Sequence, residues 1–118
     1  MSLYETQIVD MGAEAEMFQA EGMMILFGEE VPEDLANYAY IINVNPVEGT
    51  IEEGMTLTIG SESYKITAVG DVVNKNLSNL GHITLKFNGA TEPELPGTLN
   101  LEEKELPQVE AGTTITIQ

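Results

Sequence analysis

Apolar and polar positions alternate in short runs along this chain, and the runs are separated by glycine-containing turns. Alternation with period two is the mark of a strand with one buried face. It is cleanest from His82 to Phe87, where Ile83, Leu85 and Phe87 share one face and His82, Thr84 and Lys86 the other. Thr98–Leu101 and Thr113–Ile117 read the same way, and Leu3–Asp10 does so more loosely. Met55–Ile59 and Ser63–Val69 flank Gly60-Ser61-Glu62, which predicts a hairpin. Gly22–Phe27 is a continuous apolar run, as expected of a strand covered on both faces, and Tyr38–Val44 is aromatic and β-branched. Three short helices are predicted between these strands. Gly12–Ala20 is rich in Ala and Glu. Pro32-Glu33-Asp34-Leu35 has proline at a first helical position and acids in the first turn. Val72–Leu80 places Val73, Leu77 and Leu80 on one face and ends at Gly81.

One pattern occurs twice. Ile51-Glu52-Glu53-Gly54-Met55-Thr56-Leu57-Thr58-Ile59 echoes Val109-Glu110-Ala111-Gly112-Thr113-Thr114-Ile115-Thr116-Ile117. In each, an acid and a glycine lead into an alternating strand, and the glycine is expected at positive φ. The rest of the two halves does not align, so the echo reads as one turn grammar used twice rather than as a duplication. Many short strands with glycine turns predict an all-β fold: a small closed or partly open β-barrel with one to three short helices. Closure would also remove the exposed edge of Thr113–Ile117.

The chain of 118 residues, 42% hydrophobic, predicts one folded domain spanning residues 1–118. No apolar run is long enough to span a membrane, and no basic-then-apolar leader opens the chain. Without cysteine there is neither a disulfide nor a cysteine-held zinc. Together these features fit a cytoplasmic protein. Twenty acids against four lysines give a net charge of −16. That balance disfavours nucleic acid, whose phosphates need Lys or Arg, and anionic membranes. It suits either solubility alone or attraction to a basic protein.

Candidate chemistry narrows to His82, the only histidine. No other side chain here has an ordinary pKa near neutrality. Lone histidines are most often structural. This one starts a strand after a glycine, at a rim position, opposite the apolar face. Ser61, Ser63 and Ser78 have no Gly-x-Ser-x-Gly elbow, and phosphate-binding glycine loops are missing. Glu29-Glu30 with Glu33-Asp34 lacks the EF-hand pattern and reads as a surface acid cluster. No metal or cofactor is implied. Met23, Met24 and Met55 lie within strand patterns and read as core.

Specific motifs extend this reading. Ile66-Thr67-Ala68-Val69-Gly70, then Leu80-Gly81-His82-Ile83-Thr84-Leu85-Lys86-Phe87-Asn88-Gly89, then Glu94-Leu95-Pro96-Gly97-Thr98 resemble the glucitol/sorbitol-specific enzyme IIA component of the bacterial sugar phosphotransferase system. The resemblance covers nearly the whole chain, including Tyr4-Glu5-Thr6, Met23–Phe27, Pro32–Leu35 and Tyr38. It implies a cytoplasmic phosphocarrier that accepts a phosphoryl group on histidine from the phosphocarrier protein HPr. The group then passes to the IIB domain of a membrane permease, and the carrier itself does not enter the membrane. Here the acceptor would be His82, with Gly81, Gly70, Gly97 and Lys86 as candidates for shielding the phosphoryl charge. Lys86 would help only if the sheet curls. Some similar proteins carry a histidine just after the segment matching Tyr38–Ile41, where this chain has Ile42 and Asn43. Either His82 is the acceptor throughout, or this chain is a variant. The alternative is a non-catalytic regulatory or docking module that binds a basic partner through its acidic surface. Oligomeric state and sugar are left open by the sequence.

Overall fold

The computed structural model describes residues 2–93 and 95–118. Eight strands run in chain order: β1 (Tyr4–Met11), β2 (Met23–Gly28), β3 (Tyr40–Ile42), β4 (Thr56–Ile59), β5 (Glu62–Val69), β6 (Ile83–Lys86), β7 (Thr98–Leu101) and β8 (Thr114–Ile117). A 3-10 helix covers Ala15–Glu21, α1 covers Glu33–Ala36 and α2 covers Val73–Leu80. The strands close into a barrel in the order β1-β3-β2-β6-β7-β5-β4-β8. The all-β barrel expected from the alternation is therefore present, fully closed, with three short helices. The Gly12–Ala20 segment forms a 3-10 helix shifted toward its C-terminal end. Pro32 stands just before α1, whose first turn holds the expected acids.

The inward face of every strand supplies the core. Ile8, Met24, Leu26, Ile42, Leu57, Ile66, Ile83, Leu85, Leu99 and Ile115 have at most 1% of their surface exposed, so removing any one large side chain costs roughly 2–5 kcal/mol. Met24 is core as expected, whereas Met23 and Met55 are only half-buried. A second, smaller apolar cluster lies elsewhere, where Phe27, Ala39 and Ile41 pack with Ile25, Val31 and Ala36.

The echo of Gly54 and Gly112 extends through the whole barrel, which corrects the reading of it as a repeated turn alone. β4 and β8 pair antiparallel with Leu57 opposite Ile117 and Ile59 opposite Ile115, so exchanging the two strands leaves the register unchanged. The same exchange maps β1 onto β5, β3 onto β7 and β2 onto β6. The β1–β3 pair is antiparallel with a bulge after Ile8, and the β5–β7 pair is antiparallel with a bulge after Ile66. β2–β3 and β6–β7 are both parallel, with Leu26 beside Tyr40 and Leu85 beside Leu99. Gly54 and Gly112 have φ of 92° and 99°, and their amides bond to the carbonyls of the matched Ile66 and Ile8. Gly22 and Gly81, both at φ near 70°, end the 3-10 helix and α2 respectively. The molecule is thus a pseudo-two-fold barrel whose two halves share their pairing grammar but not their side chains. Under this relation Met23 occupies the place of His82, and Lys86 the place of Phe27.

Candidate functional site

The site begins at the end of α2. Val73 and Leu77 anchor this helix in the core. Gly81, at φ 68°, stops it in the left-handed conformation and sends the chain into β6. The Gly81 amide donates to the Leu77 carbonyl at 3.1 Å and the His82 amide to that of Asn76 at 3.3 Å. A second glycine lets this turn rest directly on β2. A Cβ on Gly81 would lie 3.0 Å from the Gly28 nitrogen, and one on Gly28 would lie 2.6 Å from the Leu80 oxygen. The backbones meet because neither residue has a side chain.

That close approach places the His82 ring over the end of β2. Nδ1 lies 3.1 Å from the Leu26 carbonyl oxygen, and the ring stacks on Phe27 with centroids 4.3 Å apart and planes 23° from parallel. A carbonyl can only accept, so this contact assigns the proton to Nδ1. Nε2 then keeps its lone pair and has no hydrogen-bond partner among the described residues. The imidazole is half-buried, with its plane set by one edge against the Leu26 carbonyl and one face against Phe27.

Beside it lies a cleft of about 480 Å³ lined by Phe27, Glu29, Glu30, Pro32, Val44, Asn79 and Leu80. Phe27 is shared between the cleft wall and the histidine stack. Leu80, expected on the buried face of α2 with Val73 and Leu77, is instead 47% exposed, because the helix ends there and its last side chain reaches the rim.

Among the sequence-derived candidates, Gly81 adjoins His82. The Gly97 carbonyl accepts from the Thr84 amide at 3.2 Å, and Asn76 lies on its other side, so Gly97 also belongs near the start of β6. Gly70 sits at the other end of α2, about 12 Å of helix away. Its amide donates to the Thr98 carbonyl at 2.9 Å, and a Cβ there would collide with the Pro96 carbonyl oxygen. Lys86 is at the far end of β6, paired with Met23 and Asn100, about 13 Å of strand from His82. Glu94 lies outside the described residues. Ile42 and Asn43 follow the pairing of Ile42 with Gly28, and Val44 touches the space at Gly28 and Gly81. The segment from Ile42 to Val44 therefore runs along this same rim.

Phe27, Val44 and Leu80 were not among the site candidates of the sequence reading, which placed Leu80 on the buried face of the helix. Phe27 closes an apolar run that looked uniformly buried, and only the pairing of β2 with β6 brings it to His82. No cluster of three or more His, Asp or Glu among the described residues is arranged to hold a metal ion, and no described helix is long and apolar enough to cross a membrane.

This barrel is matched by a solved structure described as the crystal structure of PTS System IIA Component from Enterococcus faecalis V583. The TM-score is 0.84 at 33% identity, over 95% of this chain and 97% of that one. The fold is that of a phosphotransferase-system IIA component. Residues 3–116 match the family described as PTS system glucitol/sorbitol-specific IIA component. Relatives named PTS system glucitol/sorbitol-specific EIIA component from Shigella flexneri and from Escherichia coli K12 are 38% identical over 99 residues, which is 84% of this chain and 80% of each relative. The chain belongs to the glucitol/sorbitol-specific IIA family of the sugar phosphotransferase system. Its role is accordingly that of a phosphoryl carrier working with other components of that system.

Proposed function

We propose that His82 is the phosphoryl-accepting residue and that Nε2 is the atom that bonds to phosphorus. The observation that carries this reading is the Nδ1 contact with the Leu26 carbonyl, which leaves Nε2 as the available lone pair. The donor is HPr in its phosphohistidine form. The acceptor is the IIB domain of a glucitol/sorbitol permease, and the exchange takes place in the cytoplasm. Nε2 attacks phosphorus in line. The P–N bond to HPr breaks, and its electron pair returns to the HPr imidazole. The Nδ1 proton stays on the His82 ring, held by Leu26. The positive charge this leaves on the phosphorylated ring offsets the phosphoryl charge and weakens the new bond for onward transfer. Chemistry of this kind depends on positioning and electrostatics, and the Phe27 stack and the Leu26 carbonyl supply the positioning. Gly81 and Gly97 remain the candidates for backbone shielding near the phosphoryl group. Lys86 and Gly70 would act there only after a rearrangement.

The test is incubation with Enzyme I, HPr and phosphoenolpyruvate, followed by intact-mass analysis of the wild type and His82→Ala. One acid-labile, base-stable phosphate on the wild type and none on the variant is the expected result. Phosphate on folded His82→Ala would refute the assignment. A folded wild type that takes no phosphate would favour a docking role, in line with the absence of histidine at Ile42 and Asn43.

A further inference from the structure

We infer that the cleft formed by Phe27, Val44 and Leu80, with Glu29 and Glu30 beside them, is the docking surface through which this chain meets its phosphoryl-exchange partners. The occupant is a basic protein surface that presents an apolar side chain. The inference rests on His82 being the acceptor and adds which face of the barrel the partner covers.

Three observations point to that occupant. Leu80 and Val44 are 47% and 44% exposed, side by side at a rim whose floor is the Gly28–Gly81 contact. Large apolar side chains grouped beside a reactive group mark a site that a partner desolvates. The charge around them has one sign. Glu29 and Glu30 line the cleft, α1 follows with Glu33 and Asp34, and none of the four lysines lines it. A second copy of this chain, at −16, would bring like charge to the same face, whereas a cationic partner is steered to it. Finally, Phe27 belongs to both places: one ring holds His82 in its stack and walls the cleft. A side chain seated in the cleft would press on the ring that sets the imidazole plane, so docking and alignment of Nε2 are coupled. With a single histidine, beside this cleft, donor and acceptor must use the surface in turn.

The experiment compares two routes to phospho-His82 in the full-length wild type and in Leu80→Lys and Val44→Lys. Phosphoramidate, a small donor that needs no docking, is one route. Phospho-HPr at several salt concentrations is the other. Both substituted positions are exposed, and circular dichroism checks the fold. The expected result is equal labelling by phosphoramidate in all three proteins and transfer from phospho-HPr slowed about tenfold or more in the variants. Wild-type transfer should also weaken as salt rises. Unchanged transfer from phospho-HPr in folded variants that phosphoramidate still labels would overturn the docking surface and leave His82 standing. Failure of phosphoramidate to label wild-type His82 would overturn the acceptor reading and this inference with it. A wild-type dimer that Leu80→Lys dissociates would reassign the cleft to a second copy of the chain.

Discussion

At the scale of single residues, the site is a set of constraints on one ring. Leu26 contributes only a carbonyl, Phe27 only a flat face, and Gly28 and Gly81 only the absence of a Cβ. The histidine, its place after a terminating glycine and its outward face could all be read in the sequence, because each follows from neighbours within a few positions. Phe27 could not, since its contact with His82 spans 55 residues and exists only through the β2–β6 pairing. Leu80 misled because helical spacing assigns a face but does not say where the helix stops being covered. These roles separate under mutation. Phe27→Leu keeps an apolar wall but loses the stacking plane. Transfer from phospho-HPr should fall on the order of tenfold to a hundredfold while the circular dichroism spectrum stays unchanged. Gly81→Ala puts a side chain at φ 68° and 3.0 Å from the Gly28 backbone. It should lower stability by at least about 1–2 kcal/mol in urea unfolding and slow transfer as well, because the turn that places His82 must shift.

At the scale of elements, the strands were legible because alternation is a local property, and their ends agree with the pattern to within a few residues. The two-fold relation was legible only where both halves carry glycine and alternating threonine. Elsewhere the halves preserve pairing, bulges and turns but not residue types, and pairing leaves no trace in a single sequence. Met23 in the place of His82 illustrates this: the backbone is shared and the chemistry belongs to one half. The two matched turns offer a direct check. Gly54 and Gly112 have positive φ, and a Cβ at either would meet nothing within 4 Å, so substitution carries backbone strain alone. Gly54→Ala and Gly112→Ala should each cost about 1–2 kcal/mol, agreeing within a few tenths, and the double variant should show the sum. A large difference in urea midpoint between the two would mean that the turns are not equivalent in the folded molecule.

For the whole molecule, the closed barrel buries phenol groups whose ionisation in the folded state is pushed above the ordinary tyrosine range. Tyr4 is 2% exposed, and among the described residues its hydroxyl has no hydrogen-bond partner of good geometry. Burial pushes it up to about 12, and the nearby Thr6 side chain, whose own proton goes to Asn43, offsets only part of the effect. Tyr64 is also pushed up to about 12, first by burial and then by the charges of Glu62 and Glu105, and its hydroxyl donates to the Glu105 carbonyl at 2.8 Å. An unfolded tyrosine ionises near 10. The unfolded chain therefore loses these protons before the folded one does, and the stability their burial contributes is complete below pH 10. It declines as pH rises from about 10 to about 12. Urea midpoints should fall across that window, with tyrosinate absorbance at 295 nm appearing together with loss of structure. Removing the Tyr4 hydroxyl should flatten part of that decline. Tyr4→Phe deletes a buried hydroxyl with no partner, so at pH 7 it should be as stable as the wild type or more so. Tyr64→Phe gives up a bond to Glu105 and should lose about 1 kcal/mol at pH 7. If Tyr4→Phe is the more destabilising of the two, then the Tyr4 hydroxyl is satisfied in solution, and the barrel interior holds a polar contact that the folded geometry does not contain.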